Sequence, residues 1–155
     1  GWFVRVVKRE RRACPECSRV ARPELAPRIV EKGLASDRVV IDTVIAKYSD
    51  HLPLYRQQAI LEREAGVELS RATLDGWVMR VGELLQPVVE AMREDLLGAS
   101  YLQADETTVP VQMHDRLGAN HQSYLWHYGS PGRETVFEFQ LGRGREGPGR
   151  FLPNW

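Results

Sequence analysis

The spacing of apolar residues changes near Ser100, and this change constrains the fold more than any other feature of the sequence. Before Ser100 the apolar residues recur at helical spacing, whereas after it they alternate as in a strand with one buried face. The alternation places Asp105 on the same face as Tyr101 and Gln103. Helices followed by strands predict an α+β fold.

Three helices are predicted before this change, at about residues 37–48, 53–64 and 71–97. Ser36 and Ser70 are typical N-caps, because a serine hydroxyl accepts from the free N–H groups of a first turn. Gly66 and Gly98 are expected to end the second and third helices. Pro87 lacks an N–H group, so we expect it to kink the third helix or split it in two.

The second and third helices, joined by a short glycine-containing turn, have the outline of a helix-turn-helix. Arg71, Thr73 and Arg80 are then expected on or near the exposed part of the third helix, where they could contact DNA. An ordinary pair of antiparallel helices gives the same pattern. The acidic balance of residues 34–98, seven Lys or Arg against eleven Asp or Glu, argues against DNA binding there.

The first 33 residues form a basic arm, with nine Lys or Arg against four Asp or Glu. This excess predicts a polyanionic partner, and we expect Arg9, Arg11 and Arg12 to contact DNA phosphates. The alternative is a basic strand that is simply solvated. The whole chain is ordinary for a globular protein, with 43% hydrophobic and 27% charged residues, and no apolar run approaches a membrane span. A cytoplasmic location is therefore expected.

Cys14 and Cys17 form one Cys-Pro-Glu-Cys knuckle, preceded by a predicted strand at Phe3–Lys8 and followed by a proline-containing linker. A structural zinc site takes four ligands, commonly from two such knuckles. The pair is therefore half of a zinc ribbon, a redox pair, or incidental. The half-site interpretation predicts that the chain is a piece of a longer protein.

Beyond Asp105, two further strands are predicted at Tyr124–Tyr128 and Thr135–Leu141. Ser130-Pro131-Gly132-Arg133 lies between them and is typical of a hairpin turn. The glycine-rich residues 142–150 are predicted to form a loop, and Phe151 is expected to open a further element.

Asp105 and Glu106 are the acids of the first predicted strand and the candidates for chemistry. An acid pair at a strand end is often only a solvated turn. Polynucleotidyl transfer, however, needs divalent metals held by carboxylates from different elements, and an acid on an early strand suits the first of them. Glu106 points to the other face of a regular strand, so Asp105 is the stronger candidate.

The segment KYSDHLPLYRQQAILEREAGVELSRATLDGWV, followed by ADETTVPV, resembles transposases of the insertion sequence sixty-six family. Cys14, Cys17 and the Gly-Leu-Ala-Ser segment also lie where that family has the second half of a zinc-binding region. The resemblance covers nearly the whole chain. It implies a bacterial transposase that moves DNA by metal-dependent phosphodiester cleavage and strand transfer, with an RNase H-like catalytic domain and an Asp-Asp-Glu triad.

Asp105 matches the first Asp of that triad, with Mg²⁺ (or Mn²⁺) as the expected ion, while Zn²⁺ would bind at the cysteines. The resemblance divides the chain into residues 1–33 (basic arm, half zinc knuckle and linker), 34–98 (helical domain) and 99–155 (first strands of the RNase H-like domain). The second Asp and the Glu are not present, and Asp115 does not match either.

The fragment is therefore expected to be inactive by itself. The full protein is expected to bind transposon ends and target DNA as a homo-oligomer. Two other functions fit the same residues. One is a non-catalytic DNA-binding module in which the sheet only supports the helices, and the other is a metal-dependent nuclease on an RNase H-like fold.

Overall fold

The computed structural model describes residues 2–24, 26–113, 118–144 and 146–152. Helices and strands both occur, so the predicted α+β class is confirmed. Along the chain the elements are β1 (Arg12–Ala13), β2 (Val20–Ala21), α1 (Asp37–Tyr48), α2 (Leu54–Ala65), α3 (Arg71–Leu97), β3 (Gln103–Gln112), β4 (Asn120–Gly129), β5 (Thr135–Gln140) and α4 (Glu146–Phe151). None of these helices is both long enough and apolar enough to cross a membrane.

The contacts within the chain define two compact units, one up to Leu84 and the other from Leu85 onward. The boundary lies inside α3, which runs unbroken through Pro87. Of the two expectations for Pro87, a split of the helix is wrong, and a kink stays a prediction. Loss of one backbone hydrogen bond is tolerated here because the remaining bonds of a long helix keep it continuous.

The helix caps in the first unit follow the sequence predictions. The Ser36 side chain accepts from the N–H of Val39, and the Ser70 hydroxyl accepts from the N–H of Thr73 at 3.1 Å. Gly66 ends α2 in the left-handed conformation with φ of 64°, which costs glycine little because it has no Cβ. These local signals place the ends of α1 and α2 and the start of α3 within a residue or so of their predicted positions.

The core of the first unit joins α1, α2 and α3. It consists of buried apolar side chains from each helix, namely Val40, Leu61, Leu74 and Trp77. Gln57 is buried beside them and donates to the carbonyl oxygens of Thr43 and Leu52, at 3.2 and 3.0 Å. A buried amide is stabilising only when it is hydrogen-bonded, and these two bonds tie α2 to α1 and to the loop between them.

The strand predicted at Phe3–Lys8 is wrong. The described residues before Arg12 form no strand, and Val4 in that run is 90% exposed. A β-branched run forms a strand only where a neighbour completes its hydrogen bonds. Phe3–Lys8 have no such neighbour among the described residues. Strand pairing begins only at the cysteine knuckle, where β1 pairs antiparallel with β2.

The second unit contains an antiparallel sheet in the order β3-β4-β5, and the predicted hairpin joins β4 to β5. The turn between β4 and β5 closes with the N–H of Arg133 donating to Ser130, and Gly132 has φ of 77°. One face of the sheet packs against the end of α3 and against α4. The buried core residues there are Leu96, Tyr128, Val136 and Phe151.

The loop predicted over residues 142–150 is wrong at its end, because Glu146–Phe151 form α4. Glycine and proline disfavour helices, so the local sequence gives no sign of this one. Tertiary contacts stabilise it instead. The Phe151 ring stacks on Tyr128 with centroids 3.7 Å apart, and Arg93 donates to the carbonyl oxygens of Arg150 and Phe151 at 2.9 Å each.

Candidate functional site

Asp105 lies on the face of the sheet opposite the core. Its pairing partner on β4 is His127, and the partner of His127 on β5 is Phe137. Residues paired across antiparallel strands project to the same face, so these three side chains form a row across the sheet. Asp105 is exposed and the Phe137 side chain is 60% exposed, so the described residues leave this part of the face uncovered, whereas Ser123, farther along β4 on the same face, is buried.

The Asp105 carboxylate is exposed and partly oriented by its own backbone. Its Oδ1 accepts from the N–H of Glu106 at 2.9 Å, while no described residue donates a hydrogen bond to its other oxygen. A side-chain oxygen held in this way loses rotational freedom before any ligand arrives. Oδ2 is left available to a ligand on the uncovered face.

Glu106 is engaged on the opposite face. It is paired with Trp126, whose ring belongs to the core cluster, and its side chain is 19% exposed. Arg143, from the segment after β5, donates to Glu106 Oε1 with Nε at 2.8 Å and Nη2 at 2.6 Å. The ion pair compensates the partly buried carboxylate of Glu106, whereas no described side chain is paired with the Asp105 carboxylate.

The core face near Glu106 also contains polar atoms without hydrogen-bond partners among the described residues. These atoms are Trp126 Nε1, Tyr128 OH and Glu138 Oε2. Burial raises the pKa of Tyr128 to about 12, and the neighbouring Glu138 carboxylate contributes to the same shift. The Tyr128 phenol is therefore neutral at physiological pH and belongs to the packing of the sheet rather than to the Asp105 face.

The chemistry of Asp105 fits one ligand of a magnesium site. Mg²⁺ prefers oxygen ligands and is usually bound through one or two carboxylates. Among the residues that the structure describes, no group of three His, Cys, Asp or Glu side chains is placed to hold an ion. The described part of the chain thus contributes a single carboxylate of the right type. Asp115 falls outside the described residues.

His127 was not singled out from the sequence, although the register places it directly opposite Asp105. The signal that could have found it is the pairing register. Predicting that register requires the exact ends of β3 and β4, which the spacing of residues does not give.

The cysteine knuckle forms the tight turn between β1 and β2. The N–H of Cys14 donates to the carbonyl of Arg19 at 2.9 Å, and the N–H of Ser18 donates to the carbonyl of Cys14 at 3.0 Å. Hydrogen bonds from the backbone N–H groups of Cys17 and Glu16, and then from the Cys17 side chain, lower the pKa of the Cys14 thiol. A thiol that ionises more readily is a better metal ligand, so the turn fits half of a zinc site.

The basic arm presents its arginines to solvent. Arg9, Arg11 and Arg12 are all exposed. Arg12 forms an ion pair with Glu10 at 2.9 Å, and both side chains of this pair are about four-fifths exposed, at 82% and 78%. Exposed ion pairs contribute little free energy, so Arg12 can exchange Glu10 for a phosphate at small cost.

The three candidate DNA-binding residues of α3 differ in what they contact. Arg71 and Thr73 are exposed in the first turn, where the Thr73 hydroxyl lies 2.9 Å from that of Ser70. Arg80 donates to the carbonyl of Ile29 at 3.2 Å and to Glu83 at 2.9 Å. Arg80 is thus occupied in holding the linker, which leaves Arg71 and Thr73 more accessible to a ligand.

Comparison with known proteins identifies the family. The family model described as "Transposase IS66 family" matches residues 32–155, which include the helices, the sheet and Asp105. The uncharacterized protein y4qI of Sinorhizobium fredii (strain NBRC 101917 / NGR234) is 34% identical over 137 residues, covering 83% of this chain and 25% of its own length.

Two further uncharacterized proteins of the same strain are also similar. The protein y4hP is 27% identical and matches 77% of this chain and 21% of its own length. For y4jD the identity is 33%, over 66% of this chain and 20% of that protein. The chain thus spans about a quarter of the length of these relatives or less.

No solved structure matches the chain. The family match extends over most of its length, from the linker ahead of α1 through the sheet that carries Asp105. The chain therefore belongs to the IS66 family of transposases.

Proposed function

We propose that this chain is the part of a bacterial DNA transposase that supplies the first metal-binding carboxylate, Asp105, for phosphodiester cleavage and strand transfer. The observation that carries the proposal is the contrast between two neighbouring acids. Asp105 has a free oxygen on an uncovered face, whereas Glu106 is engaged with Arg143 on the packed face. Membership of a transposase family supports the same function.

Asp105 would hold Mg²⁺ (or Mn²⁺) through Oδ2, while the bond from the Glu106 N–H to Oδ1 fixes the rotation of the carboxylate. A bound divalent ion supplies Lewis-acid activation of the attacking oxygen and stabilisation of the leaving one. The remaining acids of an Asp-Asp-Glu triad would come from other parts of the protein, on an RNase H-like sheet that β3, β4 and β5 begin. We infer that the fragment alone does not transfer strands.

The basic arm and the first turn of α3 would bind DNA, at transposon ends or at the target. The protein would then work in the bacterial cytoplasm on nucleoid DNA, and a homo-oligomer would bring two ends together.

The turn at Cys14 and Cys17 would supply half of a zinc site. Zinc analysis of this fragment and of the full-length protein tests that half-site, because stoichiometric zinc in the fragment alone would contradict it.

The experiment that tests the proposal is Asp105→Ala in the full-length protein, followed by transposition and DNA-binding assays. The proposal predicts loss of transposition with end binding retained. Unchanged transposition would instead favour a DNA-binding module in which the sheet only supports the helices. Cleavage of RNA–DNA hybrids by the wild-type protein without transposon ends would favour a metal-dependent nuclease.

A further inference from the structure

We propose that His127 is a second ligand to the ion that Asp105 binds, and that its imidazole shifts this position from Mg²⁺ towards Mn²⁺ and similar transition-metal dications. The inference rests on the proposed function, because it assigns a further residue to the same metal position. It comes from the pairing register of the sheet and from the surroundings of the His127 ring.

The register places both side chains within reach of one ion. Asp105 and His127 are directly paired across β3 and β4, on the uncovered face of the sheet. Side chains at paired positions have Cβ atoms about 5 Å apart. A carboxylate and an imidazole at that separation can both contact an ion lying between them.

The His127 ring is held from the side away from Asp105. The Phe137 ring lies against it with centroids 5.4 Å apart and planes tilted by 53°. On its own strand the ring lies beside Gly129, since a methyl group there would be 3.5 Å from both Cε1 and Nε2. These contacts restrict the imidazole, whose Cε1–Nε2 edge lies over Gly129, and neither ring nitrogen forms a hydrogen bond with any described residue.

His121 provides a comparison within the same strand. It lies on the same face of β4 as His127, but it is paired with Val111 and not with an acid. Its Nε2 lies 2.8 Å from the carbonyl oxygen of Leu141, which engages the ring. The two histidines therefore differ in the features that the proposal uses, namely an opposing carboxylate and an unengaged nitrogen.

The ligand chemistry sets the ion preference. Mg²⁺ takes oxygen ligands almost entirely, whereas imidazole suits transition metals and carboxylate suits Mg²⁺ and Mn²⁺ alike. An Asp–His pair therefore binds Mn²⁺ better than a lone Asp does, with little gain for Mg²⁺. Replacing the imidazole by a carboxylate should remove this added preference for Mn²⁺.

The test is a titration of the isotope-labelled chain with Mn²⁺ alone, followed by NMR, since paramagnetic broadening detects weak binding residue by residue. In the wild-type chain we expect the signals of Asp105 and His127 to broaden first. In His127→Gln, the Mn²⁺ concentration that broadens the Asp105 signal should rise by at least about 10-fold. Even the removal of an outer-shell partner of a metal ligand typically lowers metal affinity by about that factor. His121→Gln is the matched control and should behave as wild type.

A third variant, His127→Asp, separates a ligand from a packing role. His127→Asp should restore binding at this position with a smaller preference for Mn²⁺ over Mg²⁺ than wild type, which a loss of packing would not produce. Unchanged signals for the β3–β4 amides verify that each variant is folded.

Equal broadening in wild type and His127→Gln, with loss in Asp105→Asn, would overturn the role of His127 and leave Asp105 as a metal ligand. Broadening that persists in Asp105→Asn would contradict the metal role of Asp105 itself. Absence of broadening on this face of the wild-type chain would overturn the shared site.

Discussion

At the scale of single residues, one position along β3 separates the proposed metal ligand, Asp105, from a structural acid, Glu106. Asp105 and Glu106 are adjacent in sequence, but a strand projects successive side chains to opposite faces. Asp105 therefore lies on the uncovered face beside His127, and Glu106 lies against Trp126 with Arg143 as its partner. The two carboxylates therefore have different surroundings, and the role proposed for Asp105 rests on that difference.

Tyr128 yields a prediction at this scale. Its hydroxyl is buried without a hydrogen-bond partner among the described residues, and its pKa is raised to about 12. Because an unsatisfied buried hydroxyl costs about 1–3 kcal/mol, Tyr128→Phe is expected to leave the stability at pH 7 unchanged or to raise it by about 1 kcal/mol. Thermal unfolding of the variant checks this, with Tyr124→Phe as the control, since the Tyr124 hydroxyl accepts from Gln122.

The same variant has a defined pH dependence. The folded-state pKa of Tyr128 lies above the ordinary value of 10, so folding favours the neutral phenol. This contribution to stability is fully present below pH 10 and is lost as the pH rises towards 12. Wild type should therefore lose more stability than Tyr128→Phe between pH 10 and 12. Parallel losses in the two proteins would contradict the assignment.

At the scale of elements, the helices depend on local signals and α4 depends on tertiary contacts. Ser36, Ser70 and Gly66 act through atoms a few residues away, so the sequence predicts the elements that they bound. The strand at Phe3–Lys8 fails because strand formation needs a partner. Helix α4 is missed because its stability comes from Phe151 on Tyr128 and from Arg93, both distant in sequence.

The candidate site likewise has one part that the sequence predicts and one part that it does not. Alternation alone places Asp105 and Glu106 on opposite faces, so the sequence predicts which acid is available. The position of His127 depends on the register between β3 and β4, which is set by residues on both strands and by the segment that joins them. Residue spacing within one strand carries no information about that register.

Two glycines in the first unit give opposite predictions. Gly82 lies inside α3, where a Cβ would meet nothing within 4 Å, so Gly82→Ala should stabilise the helix by about 0.5–1 kcal/mol. Gly66 has φ of 64°, so Gly66→Ala should destabilise by about 1 kcal/mol despite equally open space. Hydrogen exchange of the α2 and α3 amides measures both changes in stability. Stabilisation by Gly66→Ala would show that the left-handed end of α2 is not maintained.

At the scale of the whole molecule, the charge is distributed unevenly. The net charge is zero, yet residues 1–33 carry an excess of five positive charges and residues 34–98 an excess of four negative charges. The arginines of the arm are exposed, and Arg12 has only an exposed partner in Glu10. A polyanion should therefore bind mainly through the arm.

This distribution predicts a salt dependence for DNA binding. Each phosphate neutralised adds about 0.9 to the magnitude of the slope of log affinity against log salt concentration. Replacing Arg9, Arg11 and Arg12 by Gln should therefore reduce that magnitude by about 2–3. Fluorescence anisotropy with duplex DNA at several salt concentrations measures it. Replacing Arg38, Arg56 and Arg63 of α1 and α2 removes the same charge and should leave the slope nearly unchanged. Equal reductions in both triple variants would place the DNA elsewhere.

The claim on which the account rests is that Asp105, and not its neighbour, binds the catalytic ion. The most direct measurement is metal-dependent cleavage at a transposon end by the full-length protein carrying either Asp105→Asn or Glu106→Gln. Both variants remove one carboxylate charge at adjacent positions of β3. The account predicts that Asp105→Asn abolishes cleavage with DNA binding intact, and that Glu106→Gln keeps it. Cleavage retained in Asp105→Asn and lost in Glu106→Gln would contradict it.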